Sequence, residues 1–268
     1  MKRRIAFIVL VVGCGLSGCG AAGDATTDDE VVLLAFGDSL ANLDGWPAQL
    51  GALIQADQTT SVTVDGFSCF GGCNGLDRIR DHWTSRISAA DVIVVQPQPG
   101  RVALPVFRGY LTDTCGLGLE CMDTALADYS VYIRDLFGLV VDHARDDAVV
   151  LTIVAGTWGV DANRPDLRDE DPKAFDDLIR FMIEMGEMTT TAAEERCIGV
   201  VDVNVIMSGP NVFDPINPAY SDDRTHPNET GSAVIAPHVE GSAGVDRRHG
   251  GMRRIRRGSG ADRAHFRW

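Results

Sequence analysis

Short, almost uninterrupted apolar runs alternate along this chain with stretches in which apolar residues recur every three or four positions. Val31–Phe36, Ser61–Gly66, Asp91–Gln96, Ala148–Ala155 and Ile198–Val205 predict five strands. Between them, Trp46–Ala56 carries Trp46, Leu50, Leu53 and Ile54 at helical spacing. Leu76–Ile87, Thr124–Ala144, Pro172–Arg196 and Glu229–Val239 also predict helices, whereas Pro97–Asp123 reads as a long excursion. Strands of β-branched residues separated by helices indicate a parallel sheet covered on both faces, an α/β/α sandwich. Right-handed crossovers then place every strand's C-terminal end on one edge, where sites in such folds form. Ser39 follows the first strand, Cys69–Gly72 the second, Gln96–Arg101 the third and Trp158 the fourth.

The two ends of the chain differ from this core. Lys2, Arg3 and Arg4 precede the apolar stretch Ile5–Val12, which runs into small residues, the layout of a secretory signal. Leu16-Ser17-Gly18-Cys19 resembles the lipobox of bacterial lipoproteins, which implies cleavage before Cys19 and lipid on its sulfur. An ordinary cleaved signal or an uncleaved anchor is the plainer alternative. Residues 1–18 are therefore read as the signal, 19–30 as a flexible tether, 31–240 as one domain and 241–268 as a basic, disordered tail. The expected location is the cell envelope, with the membrane reached through lipid on Cys19.

Charge sharpens that division. The chain's formal charge is −14; removing +3 for Lys2, Arg3 and Arg4 and +6 for residues 241–268 leaves −23 for residues 19–240. So acidic a domain does not suit nucleic acid or anionic surfaces as partners. Export also gives meaning to the cysteines. The short spacings Cys69/Cys73 and Cys115/Cys121 predict two local disulfides in an oxidising compartment, with a four-cysteine metal site as the rival. Cys197 is expected to be a buried free thiol beside the fifth strand.

Chemistry concentrates in two segments. Ala35-Phe36-Gly37-Asp38-Ser39-Leu40-Ala41 puts a serine in a tight turn after a strand, and Asp223-Arg224-Thr225-His226-Pro227-Asn228 puts a carboxylate and an imidazole three residues apart. Together they hold the groups that make a hydroxyl nucleophilic: Ser39, His226 as its base and Asp223 to hold the base. Each segment alone has a plainer reading. Asp and Ser favour turns through local hydrogen bonds, and Asn228 is available as a helix cap before Glu229. Their order, and their positions at the edge of the predicted sheet, favour the catalytic reading. His82, His143 and His238 fall on predicted helices and read as surface or cap residues. Asp202 and Asp214 lack the clustered ligands of a metal site, so neither metal nor cofactor is expected. Trp46 is assigned to the core, while Trp158 suits a pocket wall and the core equally.

Over residues 31–240 the chain resembles the SGNH (GDSL-type) hydrolase family. Gly37-Asp38-Ser39-Leu40 matches the family's first block, and Asp223-x-x-His226-Pro227-Asn228 its last. The resemblance implies a flavodoxin-like three-layer α/β/α sandwich with a five-stranded parallel sheet. It also implies a carboxylic-ester hydrolase without a cofactor, acting through an acyl-enzyme on Ser39. The Cys115/Cys121 loop and the tethered layout look similar to bacterial lipoprotein members. Gly-x-Ser-x-Gly, the mark of α/β-hydrolases, is absent around Ser39.

Two blocks depart from the family. Where its second block offers a glycine amide to the oxyanion, Gly66-Phe67-Ser68-Cys69 places Cys69, with Gly71 or Gly72 reachable by a loop shift. The expected oxyanion donors are thus the main chain at Ser39, Cys69 and Gly71. In the third block the family's Asn falls on Gly100, within Gln96-Pro97-Gln98-Pro99-Gly100-Arg101. Gln98 and Arg101 are candidate substitute donors. The substrate expected is a small ester or acylated glycan. The alternatives are an anchored binding lipoprotein with little chemistry and an acyl transferase to a glycan.

Overall fold

A computed structural model describes residues 30–37, 39–58, 61–68, 76–97, 99–112, 115, 120–155, 157, 160, 166–211 and 214–243. The signal, the tether up to 29, the tail from 244, Cys19, Cys69, Cys73, Gly71, Gln98 and Trp158 lie outside them. Among the described residues, no helix is long and apolar enough to cross a membrane.

Five strands, β1 (Val31–Gly37), β2 (Val62–Ser68), β3 (Val92–Val95), β4 (Val149–Val154) and β5 (Gly199–Asp202), form one parallel sheet in the order β2-β1-β3-β4-β5. Side chains alternate across a strand, so β1 serves two cores at once. Leu33 and Ala35 pack with α1 (Trp46–Gln58) and the C-terminal helix Glu229–Ser242 on one face. Leu34 and Phe36 pack on the other, with the remaining long helices. The reversal at β1, with β2 on one side and β3 on the other, is the topological switch point where open α/β sheets bind ligands. Gly66 stands opposite Ala35 at φ 151°, where any Cβ would run into the Ala35 carbonyl. Glycine alone fits there.

The predicted three-layer sandwich and its parallel sheet are present, with four corrections. First, the stretch read as one helix from Leu76 is two, α2 (Leu76–His82) and α3 (Thr84–Ala89), because Trp83 leaves helical geometry at φ −120°. Second, half of the supposed excursion is helix α4 (Pro99–Leu111). Pro99 occupies its first turn, where the missing N–H costs nothing. Ala103, Val106 and Phe107 supply a buried apolar stripe that outweighs Pro105 inside the helix.

Third, the run Ile198–Val205 is not all strand. Asp202 accepts a hydrogen bond from the Asn204 amide (2.9 Å) and caps a short helix, Val203–Ser208. Val201, Val203 and Val205 continue across the boundary in strand-like alternation with Asp202 and Asn204 and hide that change of element, because periodicity does not separate a short strand from a buried helix turn. Fourth, Cys197 is neither buried nor free. It lies exposed in the turn before β5 at φ 58°, and it is disulfide-bonded. The solvent-facing turn, rather than the strand it precedes, decides its environment. The expected Cys115–Cys121 bridge is formed.

Candidate active site

The chain leaves β1 directly into a 3-10 turn, Ser39–Ala41, at the C-terminal edge of the sheet. Ala41 is buried, and the indole N–H of Trp46 donates to the Leu40 carbonyl (2.9 Å), so the turn is pinned from below. Trp46 is buried as expected, and it also reaches the edge of the site. That fixes the Ser39 hydroxyl at the mouth of the sheet.

The second half of the site is a loop held by its own backbone. Arg224 adopts a left-handed φ of 62°, and the chain turns so that the amides of Thr225 (2.8 Å) and His226 (2.7 Å) both donate to Asp223 Oδ1. Ser221, buried, donates to the same oxygen (3.2 Å). The other oxygen, Oδ2, lies 2.6 Å from His226 Nδ1. Asn228 closes the loop: its Oδ1 accepts from the Gly231 amide (2.9 Å) as the cap of the C-terminal helix, and its Nδ2 donates to Asp222 (3.0 Å). The cap reading of Asn228 and the triad reading therefore hold together.

Across 187 residues of sequence, His226 Nε2 lies 2.8 Å from Ser39 Oγ. With Asp223 accepting from Nδ1–H, Nε2 is the acceptor and Ser39 the donor. Partial burial pushes the Asp223 carboxyl up. The side-chain bond from His226 and the amides of His226 and Thr225 outweigh it and hold the group far below the ordinary carboxylate range. Asp223 is thus a fixed negative charge beside an imidazole in the tautomer that a general base requires.

Of the other expected site residues, Cys69, Gly71 and Gln98 lie outside the described residues. Arg101 and Gly100 fall in the first turn of α4, just beyond the end of β3. His82, His143 and His238 are exposed on helices. Asp214 accepts from Asn211 (3.0 Å). Among the described residues, no cluster of His, Cys, Asp or Glu has the arrangement of a metal site. Sequence reasoning missed Ser221 and the anchoring of the loop through Asn228 to Asp222. Serine two residues before an Asp is too common a pattern to single out.

A cavity of about 300 Å³ opens beside the triad, bounded by Ser39, Leu40, Asn42, Trp46, His226 and Ser232 among others. A larger cleft, about 900 Å³, lies among α2, α4 and the helix Glu120–His143, and no triad residue lines it.

The architecture around this site recurs in solved structures. A lipase, Lip_vut3, from a goat rumen metagenome superimposes with a TM-score of 0.57 at 15% identity, over 79% of this chain and 97% of that one. Axe2, an acetylxylan esterase from Geobacillus stearothermophilus, matches with a TM-score of 0.54 at 17% identity, over 81% and 95%. LAE5, described as an alpha/beta hydrolase enzyme from the metagenome of Lake Arreo, Spain, matches with a TM-score of 0.54 at 18% identity, over 80% and 95%. The chain has the fold of SGNH-type hydrolases. No protein-family profile and no curated protein sequence matches it. The fold is thus shared with proteins of very different sequence. Esterases and lipases are among these structural neighbours.

Proposed function

We propose that this protein is a serine esterase of the SGNH (GDSL) family. The observation that carries the reading is the unbroken chain Ser39 Oγ–His226 Nε2 (2.8 Å) and His226 Nδ1–Asp223 Oδ2 (2.6 Å) at the sheet's C-terminal edge. In the first half-reaction Ser39 Oγ attacks the ester carbonyl as its proton passes to His226 Nε2. Asp223 stabilises the imidazolium without taking the proton. The tetrahedral intermediate collapses when Nε2–H returns that proton to the departing alkoxide, leaving acyl on Ser39. Water then repeats the sequence and releases the acid.

The developing oxyanion is met by main-chain N–H groups at Ser39 and in the Cys69–Gly71 segment, with a further donor from Gln98 or Arg101 in place of the family's Asn. Neighbours named as a lipase and an acetylxylan esterase bracket the substrate class as carboxylic esters, including acylated glycans. Axe2 has also been solved as catalytic mutants with a serine or an aspartate changed to alanine, which accords with the roles given to Ser39 and Asp223. Transfer of the acyl group to a glycan hydroxyl uses the same residues and differs only in the acceptor. A lipid on Cys19 would place this chemistry at the cell envelope.

A second reading, an anchored binding protein with little turnover, is favoured by one observation: glycine stands where the family's oxyanion Asn is expected. Hydrolysis of a short-chain nitrophenyl ester separates the two. The wild type is expected to turn over and to be labelled at Ser39 by a fluorophosphonate. Ser39→Ala is expected to lose both, with a rate at least about ten-thousandfold lower. Equal rates in the two proteins would sink the esterase reading, and an unlabelled wild type would favour the binding one.

A further inference from the structure

The cavity beside the triad lies on the histidine's side of Ser39. Ser39, His226, Pro227, Leu40, Asn42, Gly45, Trp46 and Ser232 bound its volume of about 300 Å³. Ser232 is the informative residue. It is 2% exposed and lines the cavity, yet among the described residues its hydroxyl has no hydrogen-bond partner. Its amide is occupied, donating to the Asn228 carbonyl (2.8 Å) within the helix. A hydroxyl that opens onto a cavity and has no protein partner is available to bond a polar ligand atom. Opposite stands Gly45, where a Cβ would sit 3.4 Å from Ser232 Oγ and 3.2 Å from the Asn42 carbonyl. The absence of a side chain at Gly45 keeps the space open.

Chemistry says which half of an ester belongs there. His226 Nε2 must give its proton to the leaving oxygen, so that oxygen and its carbon skeleton lie on the His226 side of Ser39. The carbonyl oxygen turns away from His226, toward the proposed oxyanion donors. The cavity is walled by His226 and Pro227, which places it beside the leaving oxygen and so on the alcohol's side of the ester. Its volume is at the lower end of the ~300–1,000 Å³ usual for small-molecule sites. Its wall combines an apolar surface (Leu40, Trp46, Pro227) with the Ser232 hydroxyl and the Asn42 side chain.

We infer that this cavity is the leaving-group pocket and that it takes a small polyhydroxylated alcohol, glycerol-like or a single sugar ring, with Ser232 bonding one of its free hydroxyls. This rests on the esterase reading of Ser39. No bond changes beyond those of that mechanism are required; Ser232 is a specificity residue that touches the alcohol.

The test compares wild type, Ser232→Ala, Ser232→Val and Gly45→Ala on glycerol triacetate, ethyl acetate and ethyl butyrate. Fluorophosphonate labelling of Ser39 reports that each variant is folded. Ser232→Ala is expected to lower kcat/KM for glycerol triacetate about five- to tenfold, the worth of one hydrogen bond. Ethyl acetate should stay within about twofold, and the butyrate-to-acetate ratio unchanged. Ser232→Val and Gly45→Ala, which fill the cavity, should act in the same direction, mainly through KM. A shift in the butyrate-to-acetate ratio would make the cavity an acyl pocket and overturn the inference, as would equal effects on all three esters.

Ligand-observed NMR with glycerol and methyl glucoside gives a readout free of turnover. Saturation transfer to either polyol is expected with Ser39→Ala and lost when Ser232→Val is added. Binding with that pattern in a protein that hydrolyses no ester would sink the esterase reading and leave the pocket standing. Hydrolysis without any polyol binding or preference would do the reverse.

Discussion

The two sides of Ser39 are built differently. On the histidine side, both Asp223 oxygens have donors, the imidazole is held at both nitrogens, and Asn228 ties the loop to the start of the C-terminal helix. On the side after β3, the position of the family's Asn is taken by glycine in the first turn of α4. The first arrangement is local: a turn of four residues organises most of it, so few substitutions are neutral there. The second depends on how a helix meets the end of a strand, and the proposed donors there, Gln98 and Arg101, are the open part of the reading. On the proposed esterase reading, the contrast makes proton transfer and oxyanion stabilisation separable parts of one site.

The largest effect that separates the two sides is expected from Asp223→Asn. Oδ1 keeps its amide donors, but Nδ1–H loses the carboxylate that selects its tautomer. A fall in kcat of about ten-thousandfold, with fluorophosphonate labelling slowed in parallel, is expected. A fall of tenfold or less would mean that loop geometry alone orients His226.

On the other side, Gln98→Ala and Arg101→Ala ask where the missing donor went. One of them is expected to lower kcat about a hundredfold with KM little changed, the signature of a contact made only in the transition state. Full activity in both would leave main-chain N–H groups as the sole donors.

Asn228→Ala tests the loop rather than the chemistry. Loss of the cap costs about 1 kcal/mol, or a fall in Tm of about 2–4 °C for a domain of this size. Thermal unfolding measures it, and an unchanged Tm would show that the Asp222 and Gly231 bonds contribute nothing net.

The smallest effect is in pH dependence. Asp223 has a folded pKa depressed below its unfolded value, so its contribution to stability is present above the unfolded pKa and is lost as pH falls through the folded one. The Tm difference between wild type and Asp223→Asn should therefore be flat above about pH 5 and shrink only below about pH 4, the ordinary carboxylate range. A difference that changes between pH 6 and 8 would assign the effect to another group.

Much of this was legible from residue order alone. The strand pattern specifies a parallel sheet, because residues buried on both faces of a strand must all be apolar. Ser39 and the Asp223/His226 loop were recognisable because a nucleophile turn and a short Asp-x-x-His spacing are local features. The helices broken or added by the structure were less legible. Trp83 divides α2 from α3 through its backbone angle. α4 forms around Pro99 and Pro105 because its apolar stripe packs on other helices.

By itself, then, the sequence determined the fold class, the sheet edge at which Ser39 sits, and the three residues of the proposed site. These depend on periodicity and on contacts a few residues long. The tertiary structure decided what lies between distant segments: the 2.8 Å approach of His226 to Ser39, the exposed disulfide-bonded state of Cys197, and the cavity that joins Asn42 and Gly45 to Ser232. Those contacts cross more than a hundred residues of chain, and only the packing of helices against the two faces of the sheet brings them together.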